Sequence, residues 1–200
     1  MNHPRFSIVV PTLNEAENIA PLVARILQIE IAPAEIIFVD DNSRDDTRER
    51  IRLLNDPRVR LVERNQPTMG LAGAVIAGAR AAHSELLVVM DADLSHPPEK
   101  IPELVSPIAA AMADMVIGSR YIRGATTPGW PLWRKIMSRI AAGAAYPLTG
   151  VHDSMSGFFA IGRERLLELA PHAHGFKIAF EAIVYGARAA ARARSSDRIS

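Results

Sequence analysis

Short apolar runs alternate with segments of helical periodicity through the first 118 residues of the chain. This alternation is typical of βαβ units, and it predicts an α/β fold with a mostly parallel, Rossmann-like central sheet flanked by helices. The predicted strands are residues 6–10, 35–39, 59–62, 86–90 and 115–118. The helices predicted after the second, third and fourth strands are residues 44–54, 71–81 and 98–112.

The segment between the first two strands carries a clear helical pattern. Its apolar residues recur at helical spacing, at Ile19, Leu22, Val23, Ile26 and Leu27. Asn14 precedes Glu17 by three positions, which resembles a capping box. We therefore expect the helix to begin at this pair.

Three of the predicted strands run into polar loops. These loops are "PTLNE" (residues 11–15), "DDNS" (residues 40–43) and "DAD" (residues 91–93). The carboxyl ends of parallel strands meet at one edge of a sheet, and ligands bind there where the strand order switches. The sequence therefore predicts a binding site at this edge.

Asp91 and Asp93 end a strand that looks buried, and a buried carboxylate is unfavourable by several kcal/mol unless it is neutralised. Side chains alternate along an extended backbone, so both carboxylates are expected on the same side. Paired hard oxygen ligands, without histidine or cysteine at ligand spacing, favour Mg²⁺ or Mn²⁺ bridging to a substrate phosphate. The alternative is that the two aspartates form a turn and a helix N-cap ahead of Pro97 and Pro98.

Composition excludes some classes of function. The chain of 200 residues, without repeats, is expected to form one domain, and the absence of cysteine excludes disulfides and thiolate metal sites. A net charge of +1 gives no general polyanion signal, so we expect no nucleic-acid partner. There is no signal-peptide pattern and no apolar run of the roughly 20 residues that a membrane span requires, so a cytoplasmic location is expected.

Seven segments together resemble the family 2 glycosyltransferases of GT-A fold, and most closely the dolichol- or polyprenol-phosphate mannosyltransferases. They are "VVPTLNEAENI", "IIFVDDNSRDDT", "GLAGAVIAGA", "VVMDADLSHPPEKIPEL", "DMVIGSRY", "WPLWRKIMSRI" and "DSMSGFFAI". The resemblance implies a nucleotide-sugar donor, with GDP-mannose favoured, a divalent cation (Mg²⁺ or Mn²⁺), and a polyprenyl or dolichyl phosphate acceptor at the cytoplasmic membrane face. It implies a catalytic domain over residues 1–178 and leaves residues 179–200 as an atypical tail.

The resemblance also assigns the donor-binding residues. The residues matching those that line the base and ribose are Pro11, Leu13, Glu15, Val39 and Asp41. The metal and diphosphate segment corresponds to Asp91, Ala92 and Asp93. Two positions depart from the family, since Leu13 replaces a common tyrosine and Ser95 stands where glutamine is usual.

The acceptor side is assigned in the same way. Arg120 and Arg134 match phosphate-handling arginines, and Lys177 matches a residue that closes over the nucleotide. Ser138 lies one helical turn beyond Arg134 and is expected to donate a hydrogen bond to the acceptor phosphate.

The implied reaction is a single displacement with inversion at the anomeric carbon. Asp93 counts as catalytic with Arg134 and Ser138, because the cation held by the aspartates stabilises the leaving nucleoside diphosphate. The phosphate nucleophile is already ionised, so no protein base is required, and Asp153 is the candidate if one exists. Asp153 and Ser156 have turn and capping roles as the alternative.

Several alternatives remain open. A polyprenyl-phosphate transferase using a UDP-sugar and a catalytically impaired nucleotide-sugar-binding module both fit the motifs. A nucleotidyltransferase or dinucleotide oxidoreductase fits less well, because the loop after the first strand has no glycine. The oligomeric state is not predicted.

The histidines and the C-terminal tail carry weaker signals. The histidines show no mutual ligand spacing and are predicted to have surface or cap roles, at His83, His96, His152, His172 and His174. The tail is rich in alanine and arginine, and either contacts anionic lipid headgroups peripherally or is a frayed, solvated end. Its arginines include Arg188, Arg192, Arg194 and Arg198.

Overall fold

The computed structural model describes residues 4–118 and 156–172. These residues form a six-stranded sheet in the order β3-β2-β1-β4-β6-β5. The strands are β1 (Phe6–Thr12), β2 (Glu35–Asp40), β3 (Val59–Glu63), β4 (Leu86–Val89), β5 (Met115–Ile117) and β6 (Phe159–Gly162). The pairs β1–β2, β1–β4 and β2–β3 are parallel, whereas β6 is antiparallel to both β4 and β5. The mostly parallel α/β sheet and all five predicted strands are confirmed, and β6 is an addition.

Five helices from the described parts of the chain cover the sheet. They are α1 (Ala16–Ile26), α2 (Thr47–Leu53), α3 (Gly70–Ala81), α4 (Ile101–Ala109) and α5 (Arg163–Leu169). A 3₁₀ turn at Pro98–Lys100 precedes α4, and another at Ala170–His172 follows α5. The helix predicted over residues 98–112 is therefore shorter, and Ala111, in the left-handed region at φ 53°, lies just beyond its end.

The capping box predicted at Asn14 is wrong. The N-cap of α1 is Glu15, whose own side chain makes no capping hydrogen bond, and the N–H of Ala16 donates instead to Asp45 Oδ2 at 3.3 Å. Asn14 adopts a left-handed conformation at φ 58°, and its Oδ1 accepts a hydrogen bond from the backbone N–H of Arg44 at 2.9 Å. A contact with the neighbouring loop has replaced the local cap.

Strands β1, β2, β4 and β6 are buried on both faces of the sheet, whereas the outermost strands, β3 and β5, are half-buried. On one face Ile8, Val10 and Phe38 pack in a cluster that includes residues of α1, α2 and α4. On the other face Val9 and Val39 pack in a cluster with residues of α3 and α5. Burial on both faces explains why the strands read as unbroken apolar runs.

Glu35 starts β2 at the amino edge of the sheet, opposite the predicted site, and is buried. Its Oε1 accepts hydrogen bonds from the Ser7 hydroxyl at 2.7 Å and from the His83 backbone N–H at 2.6 Å, and its Oε2 pairs with Arg60. Burial alone would raise the pKa of Glu35, but the hydrogen bonds from His83, Ser7 and Arg60 outweigh it and hold the pKa below the ordinary value of 4.5.

We expect Glu35→Gln to lower the free energy of unfolding by about 2 kcal/mol near neutral pH, because it removes hydrogen bonds to a charged group. A carboxyl whose pKa is lowered in the folded state stabilises the protein above its unfolded value and loses that contribution as pH falls through the folded value. The difference between the two proteins should therefore shrink below pH 4.5. Urea denaturation over a pH series measures it, and a difference that stays constant or grows on acidification would contradict the assignment.

Candidate active site

The loops that follow β1 and β2 are locked together at the carboxyl edge of the sheet. The backbone N–H of Asn14 donates to Ser43 Oγ at 2.9 Å, and the N–H of Glu15 donates to the buried Thr47 Oγ1 at 2.8 Å. Asn42 adopts a left-handed conformation, as Asn14 does, at φ 66°. This edge is therefore built by tertiary contacts between loops that lie about thirty residues apart in sequence.

The adjacent acids Asp40 and Asp41 have different roles. Asp40 is fully buried, and its Oδ1 accepts from Arg48 Nε and from the backbone N–H of Ser43. The second oxygen of Asp40 and Nη2 of Arg48 are buried without a hydrogen-bond partner among the described residues. Asp40 therefore supports the loop and is not exposed to a ligand.

Asp41 contacts the loop between β3 and α3. Its Oδ1 accepts from Arg64 Nη1 at 2.6 Å, and the same guanidinium donates to the backbone carbonyls of Thr68 and Gly70. Burial raises the pKa of Asp41, against the opposing effect of the Arg64 charge and hydrogen bond and with a further rise from the nearby Asp40 charge. Arg64 thus links Asp41 to residues 68–70, a contact that the sequence pattern does not predict.

The other predicted base and ribose residues differ in exposure. Leu13 is 54% exposed and Glu15 is half-buried, with Oε2 accepting from Asn18 Nδ2 at 2.6 Å. Pro11 and Val39 are buried within the sheet. Leu13 and Glu15 are accessible to a ligand through their side chains, whereas Pro11 and Val39 are limited to backbone contacts. Base binding by these residues stays a prediction.

Asp91, Ala92 and Asp93 follow β4 where it leaves the sheet. Ala92 is buried in the core, whereas the side chain of Asp91 is 37% exposed and Asp93 is exposed. This pattern agrees with the expected alternation. Asp93 Oδ1 accepts from the backbone N–H of Ser95 at 3.0 Å, which closes a turn. Neither aspartate caps a helix, because the 3₁₀ turn that follows has Pro97 at its N-cap.

A buried histidine holds Asp91. His96 is 2% exposed, its Nε2 lies 3.0 Å from Asp91 Oδ2, and its ring stacks on Phe158 with centroids 5.2 Å apart. A carboxylate oxygen accepts, so Nε2 carries the proton that is shared with it. The predicted surface or cap role of His96 is wrong: the contact with Phe158, 62 positions along the chain, buries the ring.

The acidic pair retains oxygens for a cation. Among the described residues, Asp91 Oδ1 and Asp93 Oδ2 have no hydrogen-bond partner, and neither carboxylate pairs with lysine or arginine. No group of three or more histidine, aspartate or glutamate side chains in residues 4–118 and 156–172 is placed to hold a metal ion. Two carboxylates with open oxygens fit Mg²⁺ or Mn²⁺, which take their remaining ligands from water and substrate phosphates.

Five predicted site residues lie outside the described residues, namely Arg120, Arg134, Ser138, Asp153 and Lys177. Four of the five lie in sequence between Gly118 and Ser156, and these two described residues are in contact. Gly118 N–H donates to the Phe158 carbonyl at 2.8 Å, and the Ser156 hydroxyl donates to the Gly118 carbonyl at 2.8 Å. Ser156 also accepts from the N–H of Phe158 at 3.2 Å, in the turn role given as its alternative.

No helix within the described parts of the chain is long and apolar enough to cross a membrane.

Comparison with known proteins gives consistent results. The family model for glycosyl transferase family 2 matches residues 7–171. A dolichol-phosphate mannosyltransferase of Pyrococcus furiosus is 38% identical over 91% of this chain and 53% of its own length. The Saccharomyces cerevisiae protein of that name is 38% identical over 88% of this chain and 68% of its own, and a polyprenol monophosphomannose synthase of Mycolicibacterium smegmatis is 37% identical over 81% and 63%. The chain thus spans between about half and two thirds of these relatives.

A solved structure also shares the fold. Glucosyl-3-phosphoglycerate synthase from Mycobacterium tuberculosis, in complex with Mn²⁺, UDP-glucose and phosphoglyceric acid, matches with a TM-score of 0.63 and 26% identity, over 82% of this chain and 58% of that one. Together with the strand order and the acidic loop after β4, the family match over residues 7–171 shows that this chain belongs to glycosyl transferase family 2.

Proposed function

We propose that this chain transfers a mannosyl group from a nucleotide-activated donor, with GDP-mannose favoured, to a polyprenyl or dolichyl phosphate. The observation that carries the proposal is the Asp91–Asp93 pair, which has open carboxylate oxygens at the same sheet edge as Asp41 and Glu15. The names of three relatives, two dolichol-phosphate mannosyltransferases and one polyprenol monophosphomannose synthase, support the choice of sugar and acceptor.

The leaving group explains the chemistry of the acidic pair. Breaking the bond between the anomeric carbon and the diphosphate leaves negative charge on the nucleoside diphosphate, beside two carboxylates that repel it. A divalent cation, when bound at Asp91 and Asp93, supplies the positive charge that this step requires. Mn²⁺ in the related synthase structure supports a divalent cation, and Mg²⁺ satisfies the same kind of oxygen ligands.

The acceptor determines whether a base is needed. A phosphate monoester oxygen is already ionised, so it attacks the anomeric carbon directly and inverts its configuration as the diphosphate departs. In this proposal Arg134 and Ser138 orient the acceptor phosphate and Asp153 is dispensable. Arg120 contacts the donor phosphates, and Lys177 closes over the nucleotide. Ala92 and Ser95 belong to the segment that holds the metal and the diphosphate.

The location follows from the acceptor. A polyprenyl phosphate resides in a membrane, so the protein would act peripherally, at the cytoplasmic face where nucleotide sugars are available. The UDP-glucose in the related synthase favours one second candidate, a UDP-sugar:polyprenyl-phosphate transferase. Leu13, which offers no aromatic surface for a base, fits either donor.

A transfer assay tests the proposal. The full chain would be incubated with labelled GDP-mannose or UDP-glucose, polyprenyl phosphate in phosphatidylglycerol vesicles, and Mn²⁺ or Mg²⁺. We expect a lipid-phosphate-linked mannose product, lost with EDTA, and at least tenfold less product from UDP-glucose. Product from UDP-glucose alone would establish the second candidate. Nucleotide binding without product from either donor would contradict the enzymatic proposal.

A further inference from the structure

The pairing of β4 with β6 aligns Asp91 with Gly157. Val89 lies opposite Phe159 in the antiparallel register. Continued two residues past Val89 and two residues before Phe159, the same antiparallel register matches Asp91 with Gly157. The segment before β6 therefore lies beside the acidic loop, although it is 66 positions away in sequence.

The contact at Gly157 is too close for a side chain. A Cβ at this position would lie 2.4 Å from Asp91 Oδ2 and 2.8 Å from both Asp91 Cγ and Oδ1. The backbone of Gly157 does not have the positive φ that favours glycine, so the requirement is space alone. The carboxylate of Asp91 occupies the volume that any other residue at position 157 would need.

His96 restrains the same carboxylate by a different contact. Its Nε2–H donates to Asp91 Oδ2 at 3.0 Å, and stacking on Phe158, the neighbour of Gly157, fixes the plane of the ring. Burial of His96 leaves its ring little freedom to rotate. Gly157 leaves space for the Asp91 carboxylate, and His96 donates a hydrogen bond to it. Both contacts involve the segment that leads into β6.

We propose that His96 and Gly157 are positioning residues that fix the orientation of the Asp91 carboxylate for the divalent cation. The inference rests on the proposed function, because it concerns the same cation site. Groups that orient a metal ligand typically change metal affinity or activity by about 10–100-fold when they are removed. Affinity for Mn²⁺ should therefore depend on two residues that do not bind it.

The variants separate the hydrogen bond, the ring and the available space. His96→Phe keeps a stacking ring and removes the donor, whereas His96→Gln places an amide donor near the position of Nε2. Gly157→Ala introduces the Cβ that overlaps Asp91. Gly162→Ala, at the far end of β6, is the matched control, because a Cβ there meets only Arg165 Cβ at 3.9 Å.

The readout is binding of Mn²⁺ in the presence of saturating GDP or UDP, measured by the loss of the free Mn²⁺ electron paramagnetic resonance signal, without turnover. We expect the dissociation constant to rise about 10–100-fold in His96→Phe and Gly157→Ala. In His96→Gln most of the lost Mn²⁺ affinity should be regained, and in Gly162→Ala the dissociation constant should equal that of the wild type. Circular dichroism establishes the folded fraction, and if Gly157→Ala does not fold, the two His96 variants decide.

The outcomes distinguish the two proposals. Unchanged Mn²⁺ affinity in folded His96→Phe, or equal loss in His96→Phe and His96→Gln, would overturn the positioning role. A wild-type protein that binds no Mn²⁺ with either nucleotide would overturn it as well. A wild type that binds Mn²⁺ with nucleotide and transfers no sugar would overturn only the proposed function.

Discussion

Replacing Asp91 and Asp93 together with asparagine is expected to abolish cation-dependent nucleotide binding and to lower sugar transfer at least about 10³-fold. A bound metal stabilises transition-state charge by several kcal/mol, and each 1.36 kcal/mol changes the rate tenfold. Asparagine keeps the size of aspartate, and its Oδ1 still accepts from the N–H of Ser95, so the turn should persist. The exposure of both side chains also predicts that the fold is kept.

Calorimetry of nucleotide binding with and without Mn²⁺ checks this result directly. Asp114→Asn is a suitable control, since Asp114 is exposed and immediately precedes β5, away from the carboxyl edge. If the double variant keeps an Mn²⁺-dependent gain in nucleotide affinity, the cation is bound elsewhere.

Replacing Asp40 with alanine is expected to lower the free energy of unfolding by about 3 kcal/mol, because it removes one partner of a buried ion pair. Arg48 would keep only its longer ion pair with Glu63, at 3.3 Å. Arg48 would lose its partner at Nε, and the Ser43 N–H would lose its acceptor. The loop between β2 and α2 should loosen, and with it the contacts that hold the loop after β1.

Urea denaturation provides the measurement, with Glu99→Ala as the comparison. Glu99 pairs with Arg25 at 2.8 Å, and both side chains are well exposed, so its loss should stay under about 1 kcal/mol. Equal losses in the two variants would show that Asp40 and Arg48 form no more than a surface pair.

Local patterns were sufficient for much of the fold. The five predicted strands and α1 follow from apolar runs and helical spacing, which reflect burial of each segment by its own side chains. Strand β6 is only four residues long and pairs antiparallel with strands distant in sequence. The local pattern of apolar residues therefore does not predict it. The capping box failed for a related reason, since the Asn14 side chain found a partner in Arg44, 30 positions away.

The candidate site was also only partly predictable from the sequence. The acidic pair after β4 was predictable, because residue type and position at a strand end carry the signal. The burial of His96 and the different roles of Asp40 and Asp41 were not, because they depend on Phe158, Arg48 and Arg64. Contacts with side chains from distant segments cannot be predicted from the local spacing of the residues that they involve.

The antiparallel strand β6, which lies between β4 and β5, also affects how the protein folds during its synthesis. Residues 86–89 leave the ribosome about 70 residues before 159–162, a delay of several seconds at about 5–20 residues per second. Before β6 is synthesised, the edge of β4 that pairs with β6 in the described sheet lacks that apolar partner strand. Strand β5 likewise lacks the strand with which it pairs in the described sheet. Such an edge is a template for pairing with another chain. We therefore expect the nascent protein to be most prone to aggregate before β6 inserts, and the same insertion brings Gly157 against Asp91.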